Sequence, residues 1–380
     1  MGRKTNWNKL DLDLLTVIAE KLQFCEDFKT FGGVCTWWRR CTKLSHEPSV
    51  SRHAPWLMLP EPPSSKKRRF RGLNDRIILE ADLPDIAIAP SVISDQETNG
   101  RHLFSSLGWL ISISPIGYNI VLVHPLSKVV INPPPLPVEV PNRKTIMDPH
   151  YYFQLFPFDI NFLKFALSDN PSTNSNYTLA ANMPYLQYVV LWRSCDKEWT
   201  PINYRTISTV SDITFYKGDL YAVEMSGNVV IFSKPWESHF STRTVVANVK
   251  IRDTPSLGWM YLVELDNILF VIRRQLFLDE SDDKYKRWNF VVWEVNVETK
   301  ETKHTKNLRD KAVFLGHNSS FSITAKGCKP NCIYYTDATN VGVFDLGTGH
   351  NFEDLYVGNS SLGSCKSHLW VESSFANSNY

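Results

Sequence analysis

The chain has 380 residues, more than one ordinary compact core holds, so we expect several domains or one repetitive architecture. Its Lys and Arg residues total 41 and its Asp and Glu residues total 39, which gives a net charge of +2. This near-neutral balance argues against nucleic acid as the main partner, because domains that bind polyanions are usually strongly basic.

The N-terminal stretch "MGRKTNWNKLDLD" lacks the apolar segment of a secretory signal peptide. The longest apolar runs, such as "NIVLVHPL", are far shorter than the roughly 20 residues that span a bilayer, so no membrane segment is predicted. Without a secretory route, the seven cysteines are expected to be reduced thiols in the cytoplasm or nucleus.

The first 45 residues have the period of an α-helix. Leu14, Ile18 and Leu22 recur every four residues, and Leu15 widens this apolar stripe. A second periodic set consists of Phe28, Phe31, Cys35 and Trp38. The pair Gly32-Gly33 predicts a break within this second set or a close contact between helices, since glycine weakens a helix. So short a helical unit cannot bury both faces of its helices, and we expect another surface to cover it.

From about residue 46 the helical period is replaced by a Pro- and Ser-rich stretch that ends at residue 72. We interpret residues 46–72 as a linker that docks through its Trp and Leu side chains. After it, short β-branched and aromatic runs alternate with turn residues. The clearest example is "SDITFYKGDLYAVEMSGNVVIFS", which predicts three strands joined at Lys217-Gly218-Asp219 and Ser226-Gly227-Asn228.

Units of this kind recur at intervals near 45 to 50 residues, a spacing typical of β-propeller blades. The roughly 300 residues available would make about six blades at that period. The predicted fold class is therefore a short α-helical unit followed by an all-β propeller. A large sandwich or two stacked barrels remain the alternatives, because no WD dipeptide or paired-glycine motif marks the blades.

The helical stretch "WNKLDLDLLTVIAEKL…FCEDFKTFGGVCTWWRR" resembles an F-box. The positions that match the F-box pattern are Leu10, Asp13, Leu14, Leu15, Ile18, Leu22, Asp27, Phe31, Val34, Cys35, Trp38 and Arg39. The pattern usually has proline directly after its first leucine, and this chain has Asp11 there. Since proline preorganises the start of a helix, Asp11 is expected to weaken partner docking rather than abolish it.

The remainder resembles the KIB-type β-propeller of plant F-box proteins, through phrases such as "LVHPLSKVVINPPPLP" and "KAVFLGHNSSFSITAKGCKPNCIYYTDA". The resemblance implies an F-box at residues 1–45, a linker at 46–72, a propeller at 73–372 and a tail at 373–380. It further implies a non-catalytic substrate receptor of an SCF-type ubiquitin ligase. The partners implied are a Skp-type adaptor, through it a cullin and a RING protein, and an unknown target protein.

The resemblance implies that an apolar face of the F-box contacts the adaptor. Its predicted residues are Leu10, Leu14, Leu15, Ile18, Leu22, Val34, Cys35 and Trp38. The alternative is that this stripe packs on the chain's own propeller. A second function left open is a propeller scaffold outside the ligase, favoured by Asp11 and by the basic run "SSKKRRFR", Ser64 to Arg71.

That basic run is a nuclear localisation signal, a nucleic-acid patch or, by our preferred interpretation, a solvated linker leading into a strand. In "GCKPNC", Cys328 and Cys332 are four apart with His317 upstream, but zinc sites usually have a second matching pair. We therefore predict a structural turn with Pro330-Asn331 at its tip, and no metal or cofactor.

The acidic pairs Asp282-Asp283 and Glu353-Asp354 lie in polar stretches without a partner for acid–base chemistry, so no catalytic residue is predicted. Target binding is expected on propeller loops, for example those around Lys217-Gly218, Arg273 to Arg287 and Lys326 to Asn331. In "FGGVCTWWRRC", Trp38 shares the stripe of Phe31 and is the predicted adaptor-facing anchor. Trp37 lies about 100° away and is expected to pack on "APWLML".

Overall fold

The structure is a computed structural model of the 380-residue chain. It describes residues 10–22, 25–45, 55–60, 67–73, 78–83, 102–114, 118–137, 163–183, 188–203, 208–232, 243–251, 258–278, 286–325, 328–336, 341–352 and 368–372. Among these residues, no helix has the length and apolar character needed to cross a bilayer.

Within the described ranges, three short helices precede the sheets: α1 (Leu12–Glu20), α2 (Cys25–Gly33) and α3 (Thr36–Thr42). Asp11 begins α1 as its N-cap, since its carboxylate accepts a hydrogen bond from the Asp13 amide at 3.0 Å. The break expected at Gly32-Gly33 is present, because α2 ends at Gly33 and Cys35 is extended, with φ −162°, directly before α3. The second periodic set is therefore divided between two helices.

In the part of the chain that the structure describes, twenty-five strands form six sheets, each of which is one blade of a propeller. Blade 1 contains β1 (Trp56–Met58), β2 (Lys67–Gly72), β3 (Ile78–Asp82) and β25 (Leu369–Val371), and blade 2 contains β4 (His102–Ser106), β5 (Trp109–Ile113), β6 (Ile120–Val123) and β7 (Val130–Ile131). Blade 3 contains β8 (Lys164–Leu167), β9 (Thr178–Met183), β10 (Tyr188–Arg193) and β11 (Thr200–Asn203). The prediction of about six blades is confirmed.

The other three blades follow in chain order. Blade 4 contains β12 (Val210–Tyr216), β13 (Asp219–Glu224), β14 (Asn228–Phe232) and β15 (Arg243–Asn248), and blade 5 contains β16 (Gly258–Leu265), β17 (Ile268–Leu278), β18 (Lys286–Asn296) and β19 (Glu301–Thr305). Blade 6 contains β20 (Lys311–Leu315), β21 (Phe321–Thr324), β22 (Cys332–Thr336), β23 (Val341–Asp345) and β24 (His350–Phe352). Blade 6 is unusual, because β20 pairs antiparallel with β21 and parallel with β22.

The expectation that residues 46–72 are a linker is wrong for residues 56–58 and 67–72, which are strands. Trp56–Met58 pairs antiparallel with Leu369–Val371 from the end of the chain, and it also pairs with Lys67–Gly72. The Trp and Leu side chains do dock, as predicted, but as part of blade 1. Strands from both ends of the chain thus complete one blade and close the ring.

Tight hairpins join the first two strands of several blades. In blades 4 and 5 the two turn residues both have positive φ: 51° and 86° at Lys217-Gly218, and 48° and 61° at Asp266-Asn267. This is the geometry of a type I′ turn, whose twist matches that of the paired strands. The predicted meander of blade 4 is confirmed, with strands β12 to β14 joined at the expected residues.

Apolar side chains fill the space between neighbouring blades. Each of the six interfaces between adjacent blades holds its own buried cluster, such as Leu57, Phe314 and Trp370 between blades 1 and 6. Since both faces of a blade are covered, strands near its inner side, such as β5 and β9, are buried along their whole length. The helices have a separate cluster of their own.

Candidate functional site

The three helices close around a small core. Its buried members are Leu15, Ala19, Phe28, Phe31 and Cys41. The ring of Phe31 lies 4.5 Å from that of Trp38, measured between centroids, so α2 and α3 are joined through these aromatic side chains. The helical unit therefore has an interior without help from the propeller strands.

One side of α1 remains exposed although its residues are apolar. Leu14, Val17 and Ile18 are 57%, 49% and 40% exposed, and their spacing of three and four places them on one side of the helix. We call these three residues the α1 face. Isolated exposed apolar residues are normal, but a contiguous apolar stripe typically marks an interaction surface.

The structure divides the predicted adaptor-binding residues into three groups. Leu14, Ile18 and Val34 are exposed, whereas Leu15 is fully buried. Leu10, Leu22, Cys35 and Trp38 are half-buried, and all of these except Cys35 pack against the helical core. Leu15 therefore belongs to the interior of the helical unit, because its side chain cannot reach a partner unless that core opens.

Val17 is exposed although it is not among the predicted adaptor-binding residues, and the contact of Trp37 differs from the predicted one. The indole N–H of Trp37 donates to the backbone carbonyl of Leu10 at 2.9 Å, 27 residues earlier in the chain. The expectation that Trp37 packs on "APWLML" is wrong, since Trp56 and Met58 of that stretch lie in the core between blades 1 and 2. The spacing of Leu14, Val17 and Ile18 was the sequence signal that could have shown Val17 to lie on the exposed side of α1.

The central channel of the propeller is lined by the inner strand of each blade: β25, β4, β8, β12, β16 and β21. The turn at residues 316–320 of blade 6 reaches three other blades from this position. The Lys164 ammonium of blade 3 donates to the carbonyls of Gly316 and Asn318, the latter at 3.4 Å. The amide of Ser319 donates to the Ser105 carbonyl of blade 2 at 2.8 Å.

Asp212 of blade 4 completes this arrangement, because one of its carboxylate oxygens accepts from the Ser320 hydroxyl at 2.9 Å and from the Leu262 amide at 3.0 Å. Burial lowers the pKa of Lys164, and the negative charge of Asp212 opposes that shift. Burial raises the pKa of Asp212, opposed by Lys164 and the donated hydrogen bonds. Polar groups of blades 2, 3, 4 and 6 are thus linked to one another at the inner strands.

A comparison with known protein families decides what this architecture is. Residues 72–345 match the family described as the KIB1-4 beta-propeller. The chain belongs to the KIB1-4 β-propeller family.

Curated relatives of this KIB1-4 chain come from Arabidopsis thaliana and are named F-box proteins. F-box protein At4g35733 is 27% identical over 203 residues, which cover 50% of this chain and 57% of that protein. F-box protein SKIP23 is 24% identical over 404 residues, which cover 92% of this chain and 86% of that protein. The chain thus spans about half the length of two of these relatives, 57% of At4g35733 and 45% of F-box protein At2g17036. It spans most of the length of SKIP23. Among solved structures, the crystal structure of BBS1N in complex with ARL6DN aligns with a TM-score of 0.31 at 10% identity, covering 66% of this chain and 78% of that one.

The described part of the basic run, residues 67–71, lies inside blade 1 of the KIB1-4 propeller rather than in a solvated linker. Lys67–Gly72 is strand β2, in which Arg68 and Phe70 are buried and alternate with more accessible residues. The interpretation of this part as a solvated linker is wrong, because β2 pairs on both sides with β1 and β3. A strand held in this way is not a free peptide that an import receptor could bind. Residues 64–66 lie outside the described residues.

The turn predicted in "GCKPNC" is present, with Asn331 at φ +57° next to Pro330. Cys332 is buried in β22 and Cys328 is half-buried, and burial raises the pKa of each thiol to about 11. Such thiols are protonated at neutral pH and are poor metal ligands. In the part of the chain that the structure describes, no three His, Cys, Asp or Glu side chains are grouped to hold a metal.

The loops expected to bind a target are only partly described. Lys217-Gly218 is the hairpin turn of blade 4, and its Lys217 lies 3.9 Å from Glu298 of blade 5. Of the range Arg273 to Arg287, residues 273–278 and 286–287 belong to the long strands β17 and β18. The acidic pairs Asp282-Asp283 and Glu353-Asp354 and residues 326–327 lie outside the described residues.

Proposed function

We propose that the chain is the substrate-recognition subunit of an SCF-type E3 ubiquitin ligase. Its helical unit acts as the F-box that docks on a Skp-type adaptor, which in turn connects to a cullin and a RING protein. The α1 face is the observation that carries this proposal, since three apolar side chains stay exposed on a unit whose own core is already complete. The relatives' shared name, F-box protein, supports it.

The receptor itself is non-catalytic in this proposal. It contributes proximity, because holding a target beside the charged conjugating enzyme raises the effective concentration of the target's lysines. The propeller holds the target through loops at the edges of its blades, where rigid hairpins such as Lys217-Gly218 fix the surface. No observation in the described residues favours a scaffold outside the ligase, since Asp11 caps α1 and the strand part of the basic run lies in blade 1.

Adaptor docking is tested with a Leu14→Asp, Ile18→Asp double variant of the full chain. Both side chains are exposed, so the fold is expected to survive while two charges are introduced on the α1 face. We expect wild type to co-purify with a Skp-type adaptor and the double variant to lose it. A matched control is Val129→Asp, Val245→Asp, which places the same charges on exposed apolar positions of the propeller, 45% and 38% exposed.

The control variant is expected to retain the adaptor. A folded wild-type chain that shows no adaptor binding at micromolar concentrations would contradict the proposal, as would equal losses in both double variants. The target is then sought by proximity labelling in the presence of a proteasome inhibitor. Candidates are the proteins that both wild type and the Leu14→Asp, Ile18→Asp variant label in the presence of the inhibitor, and that wild type alone depletes once the inhibitor is omitted.

A further inference from the structure

Leu10, which lies shortly before α1, is held by a hydrogen bond from α3. The Leu10 carbonyl precedes the hydrogen-bond ladder of α1, in which Leu15 donates to Asp11. Its partner is the indole N–H of Trp37, which lies in α3 and donates at 2.9 Å. A bond across 27 residues therefore joins the residue before α1 to α3.

The next residue is fixed as well. The Asp11 side chain accepts from the Asp13 amide at 3.0 Å, and the Asp11 backbone has φ −58° and ψ 142°. These angles lie in the region that a proline ring imposes on φ. Residues 10 and 11 are thus held by two separate contacts in succession, one from α3 and one from the Asp11 side chain.

Trp37 lies at the rim of the helical unit and not in its core. It is 37% exposed and lies outside the buried cluster of the helices, while its polar atom is engaged with Leu10. The guanidinium of Arg40 lies 5.9 Å from its ring. A large aromatic residue kept at the surface with its N–H bound to the backbone is suited to restraining that backbone.

We propose, building on the proposed function, that Trp37 is a positioning residue for adaptor docking: its bond to Leu10 holds the first turn of α1 so that the α1 face is preformed. A helix of nine residues is marginal by itself, and its ends fray. Leu14 is the third residue of α1, so fraying at Leu10 and Asp11 would move the first side chain of the α1 face. A preformed face binds more tightly, because less ordering is required on association.

The test compares Trp37→Phe with wild type in the full chain. Phenylalanine keeps an aromatic ring and removes the N–H donor. Amide hydrogen exchange at Asp13 to Leu15 is expected to accelerate, and affinity for a purified Skp-type adaptor, measured by calorimetry, is expected to fall roughly three- to tenfold. Adding Asp11→Pro should restore adaptor affinity and slow exchange at Leu15, whose amide donates to the backbone carbonyl of residue 11, because proline fixes φ near the value that Asp11 already has. Exchange at Asp13 is not expected to recover, since this substitution also removes the carboxylate that accepts from the Asp13 amide.

Trp199→Phe is the matched control. The Trp199 indole also donates to a backbone carbonyl, that of Pro134 at 2.8 Å, but within the propeller. This variant removes the same chemical group and is expected to leave both exchange at α1 and adaptor affinity unchanged.

The outcomes separate the two proposals. Exchange at Asp13 to Leu15 requires no adaptor, so unchanged exchange in Trp37→Phe overturns the positioning role whatever the adaptor does. If wild type does not bind the adaptor while exchange responds as expected, the proposed function fails and the restraint on α1 stands. If Trp37→Phe weakens binding and Asp11→Pro does not restore it, Trp37 acts by another route and the positioning role is overturned.

Discussion

The hydroxyl of Ser320 donates to a carboxylate oxygen of Asp212 at 2.9 Å, and this hydrogen bond joins blade 6 to blade 4 past the blade between them. The same turn reaches blade 3 through Lys164 and blade 2 through Ser105. A propeller is otherwise held by contacts between neighbouring blades. The turn at 316–320 adds contacts between blades that are not neighbours.

Ser320→Ala removes a donor to the fully buried Asp212 carboxyl group. Leaving such a group with fewer partners is expected to lower the free energy of unfolding by about 2 kcal/mol. The measurement is the unfolding midpoint in denaturant. Ser322→Ala is the control, because the Ser322 hydroxyl also bonds across blades, to the Glu264 carbonyl at 2.7 Å, but at a solvent-exposed place. Equal effects of the two variants would contradict the importance of burial here.

Gly316 has no room for a side chain. A Cβ atom at this position would lie 2.1 Å from the Thr336 hydroxyl oxygen and 2.9 Å from the Asn318 side-chain oxygen. Gly316→Ala is therefore expected to destabilise the propeller by roughly 2 to 3 kcal/mol through overpacking. Thr336→Ala removes the nearest obstacle, so the double variant should be more stable than the sum of the single effects predicts. Additive effects in thermal unfolding would show that the crowding lies elsewhere.

Much of the propeller could be predicted because its strands and turns are local patterns. The blade 4 meander follows from alternating apolar runs separated by Lys217-Gly218 and Ser226-Gly227. Strand β1 could not be predicted in this way, since three residues among prolines gain their partner from Leu369–Val371, some 300 positions later. Local sequence carries no information on so distant a pairing.

The helical surface and the channel residues also show that local patterns can be predicted from the sequence, whereas contacts with distant residues cannot. The periodicity of α1 predicted an apolar stripe, but which of its residues face inward depends on Phe28, Phe31 and Cys41 of the other helices. For this reason the sequence places Leu15 on the partner surface, whereas the structure buries it. The burial of Lys164 and Asp212 likewise arises from the turn of blade 6. The sequence signal for the burial of Lys164 is that it is a single charge within the apolar run "FLKFAL".

A buried ion pair stabilises the turn between strands β13 and β14 of blade 4 and joins it to β15. Glu224 is fully buried and accepts hydrogen bonds from the Arg243 guanidinium, with Nε at 2.8 Å, and from Ser226 and Asn228 at 3.1 and 3.0 Å. Arg243→Met is expected to cost about 3 kcal/mol, because the carboxylate loses its charged partner in the interior.

The control for this prediction is Lys67→Met, which breaks the exposed pair Lys67–Glu80 of blade 1, 3.3 Å apart. Exposed pairs contribute less than about 1 kcal/mol, so this variant should unfold close to wild type. If the two variants lose similar stability in denaturant titrations, the Glu224–Arg243 pair contributes no more than a surface pair.

His124 makes the stability of blade 2 depend on pH. Its ring is buried edge-on against Trp109, with centroids 5.3 Å apart, and its Nδ1 accepts from the Ser127 amide at 3.1 Å. Burial lowers the pKa of His124 to about 4. Because this value lies below that of the unfolded chain, near 6.5, the unfolded state binds the proton more tightly. The contribution of His124 is therefore complete above pH 6.5 and is lost as the pH falls towards 4.

His124→Asn offers an acceptor near the position of Nδ1 but cannot take up a proton in this range. Between pH 6.5 and 4, wild type should lose about 2 kcal/mol of stability more than this variant. Denaturant unfolding of both proteins at half-unit pH intervals gives the difference directly. Since His102 also has its pKa lowered to about 4 by burial, the variant should retain a reduced pH dependence rather than none. Parallel curves for the two proteins would mean that His124 takes up its proton in the folded state as readily as in the unfolded chain.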